Sequence, residues 1–431
     1  MILRLSDSAS RGLLVAAALL VGLWLSFFGI RAAIAHHDSE EETAKQLEAA
    51  VRLEPSNPDY WYILGRYQQY NLDQPDALLA ENSYRKAIAL SPDATEAWLD
   101  LATAYELDGK TEEARDAYLQ AKKSYPVSAE VSWRYGNFLL RQGELPQSYQ
   151  ELRRGLEADG TRSAAAFSRA YRSNPNIDEL LAQLLPPYPW VYVDVIKEAL
   201  SEKQLAVARI VWARLLTLHP RLTVGDFEGL VFQLQQAGEF TEARRVWDQG
   251  TSTMNLPPLF QPRGSVVWDP SFESEANGFF FSWTFQPITQ GVHIVFDKTE
   301  KHSGRQSLRL SFDGKHNPNL EAACTFAAVE PGSAYRFSGW IKTRDLTTDQ
   351  GVGFRIYPYG NSAAPLVNTK QIYGNNPFTL IDQSWTANPN VRLVKICITR
   401  EPSDDPYVRI SGTAWVDDVN LVPEVAEHLQ P

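Results

Sequence analysis

The sequence has few cysteines and lacks the local motifs of common catalytic and nucleotide-binding sites. Among 431 residues only Cys324 and Cys397 are cysteines, too few for a disulfide framework and without the C-x-x-C spacing of a zinc site. No G-x-S-x-G elbow, H-E-x-x-H helix or phosphate-binding glycine loop occurs, and His293, His302 and His316 lack metal-ligand spacing. We therefore expect no catalytic residues. A glycan-active enzyme stays open as a less favoured alternative, because the two catalytic carboxylates of a glycosidase lie far apart in sequence and form no local motif.

Positive charge is also scarce, which argues against a nucleic-acid partner. The chain has 41 Lys and Arg residues against 52 Asp and Glu residues, a formal net charge of −11. An acidic surface repels phosphates, and no basic block with interleaved aromatic residues offsets this repulsion. The length exceeds that of one ordinary hydrophobic core, so two or more folded units are expected.

One long apolar run, GLLVAAALLVGLWLSFFGI at residues 12–30, contains no charged residue. Its length is that of a single membrane-spanning helix. A signal-peptide core has about 7 to 15 apolar residues, so a retained transmembrane helix is predicted. The small-x-small sequence at 33–35 leaves a cleaved signal as the alternative. Arg4 and Arg11 precede the run, which favours residues 1–11 as a cytoplasmic tail.

Residues 95–128 show the apolar spacing of two paired helices. One stripe follows i, i+3, i+4, i+7 and a second follows i, i+4, i+7, and a glycine and a proline mark the turns. The residues concerned are Trp98, Leu101, Ala102, Tyr105, Gly109, Ala114, Tyr118, Ala121 and Pro126. Partial copies begin near Asn57, Tyr135, Tyr192 and Phe227. With this register, residues 36–255 resemble the tetratricopeptide repeat (TPR) family, which implies an all-α solenoid.

The resemblance also implies a partner-binding groove, because stacked repeats of this family curve around the first helix of each unit and bind peptides or proteins there. The candidate groove residues are those off the packing stripe, namely Asp100, Thr103, Arg134, Asn137 and Arg141. The alternative interpretation is that they are solvated polar positions on an exposed face.

The pattern changes after residue 255. Clustered prolines in LPPLFQPRG, residues 256–264, predict a stiff linker, since proline does not continue a helix. Residues 265–424 then carry short runs of β-branched and aromatic residues with period 2, separated by turn residues. This spacing predicts one all-β sandwich. The predicted fold is therefore multidomain: transmembrane helix, α-solenoid and C-terminal jelly roll.

Five motifs in this half, in order, resemble the carbohydrate-binding jelly rolls appended to xylanases and laminarinases. They are DPSFE at 269–273, Trp283, HSGRQSLRL at 302–310, YRFSGWIKT at 335–343 and WVDDV at 415–419. The same galactose-binding-like sandwich also serves as a plain structural module.

Sugar binding by such a domain requires exposed aromatic faces. The candidates are Trp283, Phe285, Tyr357, Tyr359, Tyr373 and Trp385. Trp340 and Trp415 are expected in the core, because both lie mid-strand among apolar residues. Cys324 and Cys397 also fall in strands, where buried thiols are common, and a bond between them is the alternative in an oxidising compartment.

The resemblance further implies a structural calcium ion between the first and last strands. Glu273 and Asp417 or Asp418 match the acidic ligand positions, and carboxylate oxygens are the donors that Ca²⁺ prefers. The alternative is that these acids are solvated strand ends. No other cofactor is expected.

These observations together predict a non-catalytic scaffold of a bacterial cell envelope. It would cross the inner membrane once, with the bulk of the chain periplasmic, bind a protein through its repeats and glycan through the sandwich, and act in surface polysaccharide assembly or export. The runner-up is a protein assembly adaptor whose sandwich is purely structural.

Overall fold

The computed structural model describes residues 8–40, 43–71, 75–254, 256, 264–274, 280–285, 291–360, 364–405 and 407–424. The chain divides into two compact units, Met1–Pro187 (unit 1) and Tyr188–Pro431 (unit 2). Unit 1 is helical, whereas unit 2 begins with helices and continues as two antiparallel sheets. The predicted multidomain fold class, with an apolar N-terminal helix, an α-region and a β-sandwich, is confirmed.

Unit 1 contains ten α-helices among its described residues, and the first eight pack as consecutive pairs. Their bounds are α1 Ser8–Glu40, α2 Ala44–Leu53, α3 Pro58–Tyr70, α4 Ala77–Leu90, α5 Thr95–Leu107, α6 Thr111–Ser124, α7 Ala129–Arg141, α8 Leu145–Ala158, α9 Ser163–Ser173 and α10 Ile177–Glu179, the last followed by a π-helical turn at Leu180–Leu184. Several starts are fixed by side-chain caps: Asn57, Asp76 and Ser128 each accept a backbone N–H from the first turn.

The predicted repeat register corresponds to the packing inside unit 1. Ala102, Ala114, Tyr118 and Ala121 are all buried in one cluster, as the two facing stripes require. The turn residue Gly109 has a φ of +72°, a conformation that glycine adopts without a side-chain clash.

The place of Trp98 on the apolar stripe predicts a large buried aromatic residue wedged between the helices of its own repeat and its neighbour, and the structure differs in part. The Trp98 ring is only partly buried against the cluster, and its indole N–H donates to the Pro92 carbonyl at 2.9 Å. Trp61 repeats the arrangement with the Pro55 carbonyl at 2.9 Å. This tryptophan therefore joins its helix to the turn before it, and the fully buried aromatic of the hairpin is Tyr118.

The apolar N-terminal helix extends beyond its predicted end at residue 30 and continues without a break to Glu40. Gly12–Glu40 is long and apolar enough to cross a membrane, and its most apolar stretch is not buried against the described chain. Its last turns pack on α2, where Ala35 is buried and the Arg31 guanidinium contacts the Glu54 carboxylate at 2.8 Å. The same helix thus supplies the apolar segment and the first packed helix of unit 1.

Unit 2 begins with two helical pairs. Their bounds are α11 Pro189–Ser201, α12 Leu205–Leu216, α13 Val224–Gln236 and α14 Phe240–Thr253. Trp212, Phe227 and Trp247 are buried within these pairs. Gly250 allows close packing, since a Cβ at this position would lie 2.7 Å from the Phe227 ring. The predicted linker 256–264 lies outside the described residues except for Leu256 and Gly264.

Ten strands follow, in two antiparallel five-stranded sheets. They are β1 Thr284–Phe285, β2 Val292–Asp297, β3 Ser307–Asp313, β4 Leu320–Ala328, β5 Ala334–Leu346, β6 Gly353–Pro358, β7 Val367–Asn368, β8 Gly374–Thr386, β9 Leu393–Arg400 and β10 Ser411–Pro423. Sheet 1 has the order β1-β4-β9-β6-β7, and sheet 2 has the order β2-β3-β10-β5-β8. Alternate apolar residues of the strands form one buried core.

Cys324 and Cys397 form a disulfide bond. The alternative prediction of a bond is therefore confirmed, and the prediction of two buried free thiols is wrong. They are direct cross-strand partners on β4 and β9 of sheet 1. Their neighbours Ala323 and Ile396 belong to the sandwich core, so strand alternation places the disulfide on the opposite side of the sheet, against Tyr357.

Trp415 is buried as expected but lies outside the main core cluster, whereas the expected core position of Trp340 is wrong. Ala414 and Val416 of β10 face the core, so Trp415 between them faces the outer side of sheet 2. Trp340 is only partly buried and stacks on the His302 ring at 3.9 Å. Apolar residues on both faces of these strands hid the alternation that would have revealed the orientation.

Candidate functional site

The first helices of the unit 1 hairpins, α3, α5, α7 and α9, share a face that carries a network of polar side chains, here called the first-helix face. At its centre is Asp100 on α5, which is 5% exposed. Its carboxylate accepts hydrogen bonds from the Tyr62 hydroxyl at 3.0 Å and the Arg134 guanidinium at 2.9 Å. Burial, followed by the charge of Asp100, raises the pKa of Tyr62, which keeps this hydroxyl a donor.

Arg134 links two neighbouring hairpins. Its guanidinium donates to the Leu99 carbonyl at 2.9 Å and to the Thr103 hydroxyl, in addition to Asp100. Burial disfavours the charged form of Arg134, but the Asp100 carboxylate outweighs this effect and raises its pKa. The three predicted residues Asp100, Thr103 and Arg134 therefore form one network.

The other two predicted residues contact different partners. Arg141 donates to the Glu106 carboxylate at 2.6 Å, and Glu106 also accepts from the Tyr118 hydroxyl at 2.6 Å. Asn137 is buried and accepts a hydrogen bond from Arg169 at 2.8 Å. All five predicted groove residues thus lie on α5 and α7 and contact one another or neighbouring helices.

An open cavity of about 360 Å³ lies on this face. Polar and aromatic side chains line it, including Thr103, Glu106, Trp133, Arg141 and Arg169. The Arg169 guanidinium lies over the Trp133 ring, 4.9 Å from its centroid. This size lies within the range of ligand-binding clefts.

Sequence reasoning missed Tyr62, Glu106, Trp133 and Arg169. Trp133 stands one place off the repeat register, and the structure gives the reason: Ser132 occupies the packing position, so Trp133 faces outward. The shift of Trp133 by one place was therefore the sequence signal that this side chain faces outward. Arg169 lies where the apolar repeat pattern becomes indistinct, and no local signal marks it.

The six aromatic candidates of the sandwich do not form one surface. Trp283 is buried in the core, and Tyr357 is buried against the disulfide. Phe285 and Trp385 are partly buried against the core. Only Tyr359 and Tyr373 are largely exposed, at 45% and 54%, and they flank strands of different sheets. These two remain as candidates for stacking on a sugar.

The predicted calcium ligands surround the loop at 302–306. One oxygen of Glu273 accepts the Arg305 backbone N–H at 2.6 Å, and the other accepts the Arg305 guanidinium at 2.7 Å. Asp417 accepts the backbone N–H of His302 at 2.7 Å. Asp418 accepts the Ser303 hydroxyl at 2.7 Å and contacts the His302 ring nitrogen at 2.6 Å.

These carboxylates thus have N–H and O–H partners, which a calcium ion would have to replace. Burial, together with the charge of Asp418, raises the pKa of Asp417 to about 7. Within the described ranges, the acidic, histidine or cysteine ligand atoms close enough for a metal site belong to Glu321 and the two bonded cysteines. The predicted ligands therefore do not converge in this arrangement, and calcium binding stays a prediction.

Asp269, which opens the DPSFE motif, has a structural role. Its carboxylate accepts the backbone N–H groups of Glu273 and Ser274 at 2.7 and 2.8 Å, and its carbonyl accepts the Trp283 indole N–H at 2.8 Å. Burial raises its pKa to about 6. Two of the five resemblance motifs are thus joined by these hydrogen bonds.

Comparison with known proteins identifies the helical pattern. Residues 71–129 and 108–163 match the model of the tetratricopeptide repeat family. Residues 71–163 of unit 1 are thus similar to tetratricopeptide repeats. A further relative, tetratricopeptide repeat protein 37 of Xenopus laevis, is 32% identical over 96 residues, which are 22% of this chain. The alignment covers 6% of that protein's length.

Three solved structures are also similar, and two of them are described as tetratricopeptide repeat proteins. YrrB, described as a TPR protein with an unusual peptide-binding site, has 13% identity, a TM-score of 0.27 and coverage of 49% of this chain and 93% of its own. Pseudomonas aeruginosa pilF has 16% identity, a TM-score of 0.26 and coverage of 53% and 87%. A tetratricopeptide repeat protein of Parabacteroides merdae has 18% identity, a TM-score of 0.31 and coverage of 52% and 93%.

Proposed function

We propose that this protein is a non-catalytic scaffold that binds a protein partner on the first-helix face of unit 1. The observation that carries the proposal is the Asp100–Arg134–Thr103 network, in which a buried carboxylate fixes side chains of neighbouring hairpins. Side chains ordered in this way lose little further entropy on binding. The tetratricopeptide repeats support the same role, since stacked repeats present extended binding surfaces.

The partner segment is expected to carry carboxylates. Arg66 and Arg141 expose more than half of their side chains on this face, and Arg169 is also exposed. Asp100 is buried and Glu106 is largely covered, so these three exposed arginines outnumber the exposed carboxylate of Glu96, which contacts the Tyr62 hydroxyl at 3.4 Å. In a chain with a net charge of −11, such a surface selects an acidic peptide.

We further propose that α1 is a retained anchor in a bacterial inner membrane, with the bulk of the chain periplasmic. Cleavage after the 33–35 site would remove Arg31 and the turns that pack on α2, so a cleaved signal would disturb the first hairpin. Resistance to carbonate extraction, with an intact N-terminus, would support retention. A mature chain beginning at His36 would contradict it.

Glycan binding by the sandwich belongs to the same proposal, in surface polysaccharide assembly or export. Exposed Tyr359 and Tyr373 support it. The adaptor with a structural sandwich is the second candidate, favoured by the burial of Trp283 and Tyr357. Glycan-array binding of the full-length protein separates the two: bound glycan that is lost in Tyr359→Ala or Tyr373→Ala supports the first.

The scaffold proposal is tested by site-specific photo-crosslinking in cells. A photoreactive residue at Arg141, on the first-helix face, should form adducts with one protein. The matched control is Arg154 on α8, which is similarly exposed and lies on a second helix. Adducts at Arg141 that disappear in Arg169→Glu would support the proposal, whereas equal adducts at both positions would contradict it.

A further inference from the structure

Unit 2 contains a second open cavity, enclosed by α13, α14 and the sheet 1 side of the sandwich. Its volume is about 550 Å³, within the range of ligand-binding pockets. This space, here called the apolar pocket, is lined by Val231, Phe232, Gln235, Trp247, Phe280 and Phe326, with Glu228, Gly229 and Thr284 completing the lining. None of them belongs to the first-helix face of unit 1.

The pocket has aromatic walls and an accessible mouth. Phe280 and Phe326 stack with ring centroids 4.4 Å apart and an angle of 11° between their planes. Phe232 is 55% exposed although it is a large apolar residue. An exposed phenylalanine at the mouth of an aromatic pocket favours an apolar ligand.

One buried polar group also faces this space. Gln235 is 4% exposed, and its side-chain nitrogen has no hydrogen-bond partner among the described residues. An unpaired buried donor is unfavourable, and most such groups in folded proteins have a partner. A ligand acceptor within the pocket would satisfy it.

The repeat register relates this pocket to the network of unit 1. Phe227 on α13 matches Trp98 on α5, so Phe232 and Gln235 occupy the positions of Thr103 and Glu106. In unit 1 these two positions hold Thr103 and Glu106, which belong to polar networks. In unit 2 they hold the apolar Phe232 and the amide of Gln235. The two surfaces therefore select different chemical groups.

We propose that the apolar pocket binds an aromatic or leucine side chain of an extended peptide segment of the partner protein. The Gln235 amide donates to the backbone carbonyl beside that side chain, and Phe232 covers the side chain from α13. A sugar ring fits less well, because the polar side chains of the lining are Glu228, Gln235 and Thr284, and sugar hydroxyls that face the aromatic walls would lack partners. The inference rests on the proposed function, in which the partner is a protein.

The test uses the full-length protein in lipid nanodiscs and ligand-observed NMR. The probe is N-acetyl-phenylalanine methylamide, which has one aromatic side chain flanked by two peptide groups. N-acetyl-alanine methylamide, toluene and methyl β-glucoside are the comparison compounds. We expect the phenylalanine derivative to bind more tightly than all three.

Two variants with matched controls locate the binding. Gln235→Met preserves size and removes the amide, and Gln236→Met is its control on the exposed side of α13. Phe232→Ala removes the apolar cover, and Tyr407→Ala is its control as an exposed aromatic residue. Each pocket variant should weaken binding of the phenylalanine derivative by roughly tenfold, a factor equal to about 1.4 kcal/mol, while each control leaves it unchanged.

Gln235→Met should also melt at the wild-type temperature or above, since it removes an unpaired buried donor, so weakened binding there is not unfolding. Tighter binding of methyl β-glucoside, equal loss in Gln236→Met, or no binding of any probe would overturn the inference. These results are independent of crosslinking at Arg141, so failure of the pocket and failure of the scaffold proposal are distinguishable.

Discussion

The indole nitrogen of Trp415 donates a hydrogen bond to the carboxylate of Asp297 at 2.9 Å, and both residues are buried. The pair lies on the outer side of sheet 2, where the Lys342 ammonium and the Arg344 guanidinium lie over the indole ring at 5.6 and 5.1 Å. A buried tryptophan is thus covered by basic side chains instead of by the second sheet. Both the burial of Trp415 and its hydrogen bond therefore depend on side chains that lie outside the sandwich core.

The ionisation of Asp297 should make the stability of unit 2 pH-dependent. Burial opposes ionisation, but hydrogen bonds from Thr299 and Trp415 outweigh it and lower the pKa of Asp297 below its ordinary value. A lowered pKa in the folded state adds stability above the unfolded pKa, near 4, and this stability is lost as pH falls through the folded value.

Trp415→Phe removes one of these donors and should cost about 1 to 3 kcal/mol at neutral pH, because a buried charge loses a partner. The loss should shrink on acidification, because a protonated Asp297 needs that donor less. Urea unfolding at neutral and acidic pH measures both effects. Trp385→Phe is the control, since that ring packs on Tyr335. A Trp415→Phe loss that is equal at both pH values would contradict the assignment.

The sequence predicted burial more reliably than orientation. In the repeats, Ala102, Ala114 and Tyr118 were placed correctly, because the 3.6-residue period separates a packed face from a solvated one. In β10, apolar side chains occupy both faces, so period 2 could not say which side Trp415 takes. Its partner Asp297 lies 118 residues away, a separation that no local pattern reveals.

The candidate site was predictable in part for the same reason. Asp100, Thr103 and Arg134 were found as polar positions beside a clear apolar stripe. Arg169 was not predicted, because the repeat register is lost in its segment. Gln235 was not predicted either, because a glutamine is common at solvent-facing helix positions and its burial leaves no mark in the sequence. The calcium prediction rested on the resemblance to carbohydrate-binding jelly rolls. That resemblance could not reveal the ion pair between Arg305 and Glu273.

Within the repeats, Tyr118 should matter more than Trp98. Tyr118 is buried and its hydroxyl donates to Glu106, whereas Trp98 is partly exposed. Tyr118→Ala should destabilise unit 1 by about 3 to 5 kcal/mol, and Trp98→Ala by less. Tyr125→Ala, at an exposed aromatic residue, should change stability by about 0.5 kcal/mol or less. Helical circular dichroism during urea unfolding checks the order; a larger loss for Trp98→Ala would refute it.

The packing of α1 on α2 should be disrupted by a carboxylate at Ala35 and unaffected by one at Ala33. Ala35 is buried against Leu47 and Val51, whereas Ala33 on the same helix is exposed. Ala35→Asp would place a carboxylate among apolar side chains at a cost of about 3 kcal/mol, because the charge is desolvated there and Arg31, one turn earlier, is already paired with Glu54. Hydrogen exchange in α2 should accelerate in Ala35→Asp and stay unchanged in Ala33→Asp. Equal exchange in the two variants would mean that α1 does not pack on α2.

Calcium binding at the predicted ligands must compete with an internal ion pair. The Arg305 guanidinium and backbone N–H occupy both oxygens of Glu273, so a calcium ion has to displace at least the side chain. Arg305→Ala should therefore increase the rise in melting temperature of the full-length protein on adding calcium after chelation, because binding to the folded state alone stabilises it. Glu273→Gln should abolish that rise, while Arg344→Ala, which removes an arginine paired with Glu300, should leave it at the wild-type value. Identical melting in chelator and in calcium for both wild type and Arg305→Ala would rule out the metal, and Glu273 would then act as the partner that fixes the 302–306 loop.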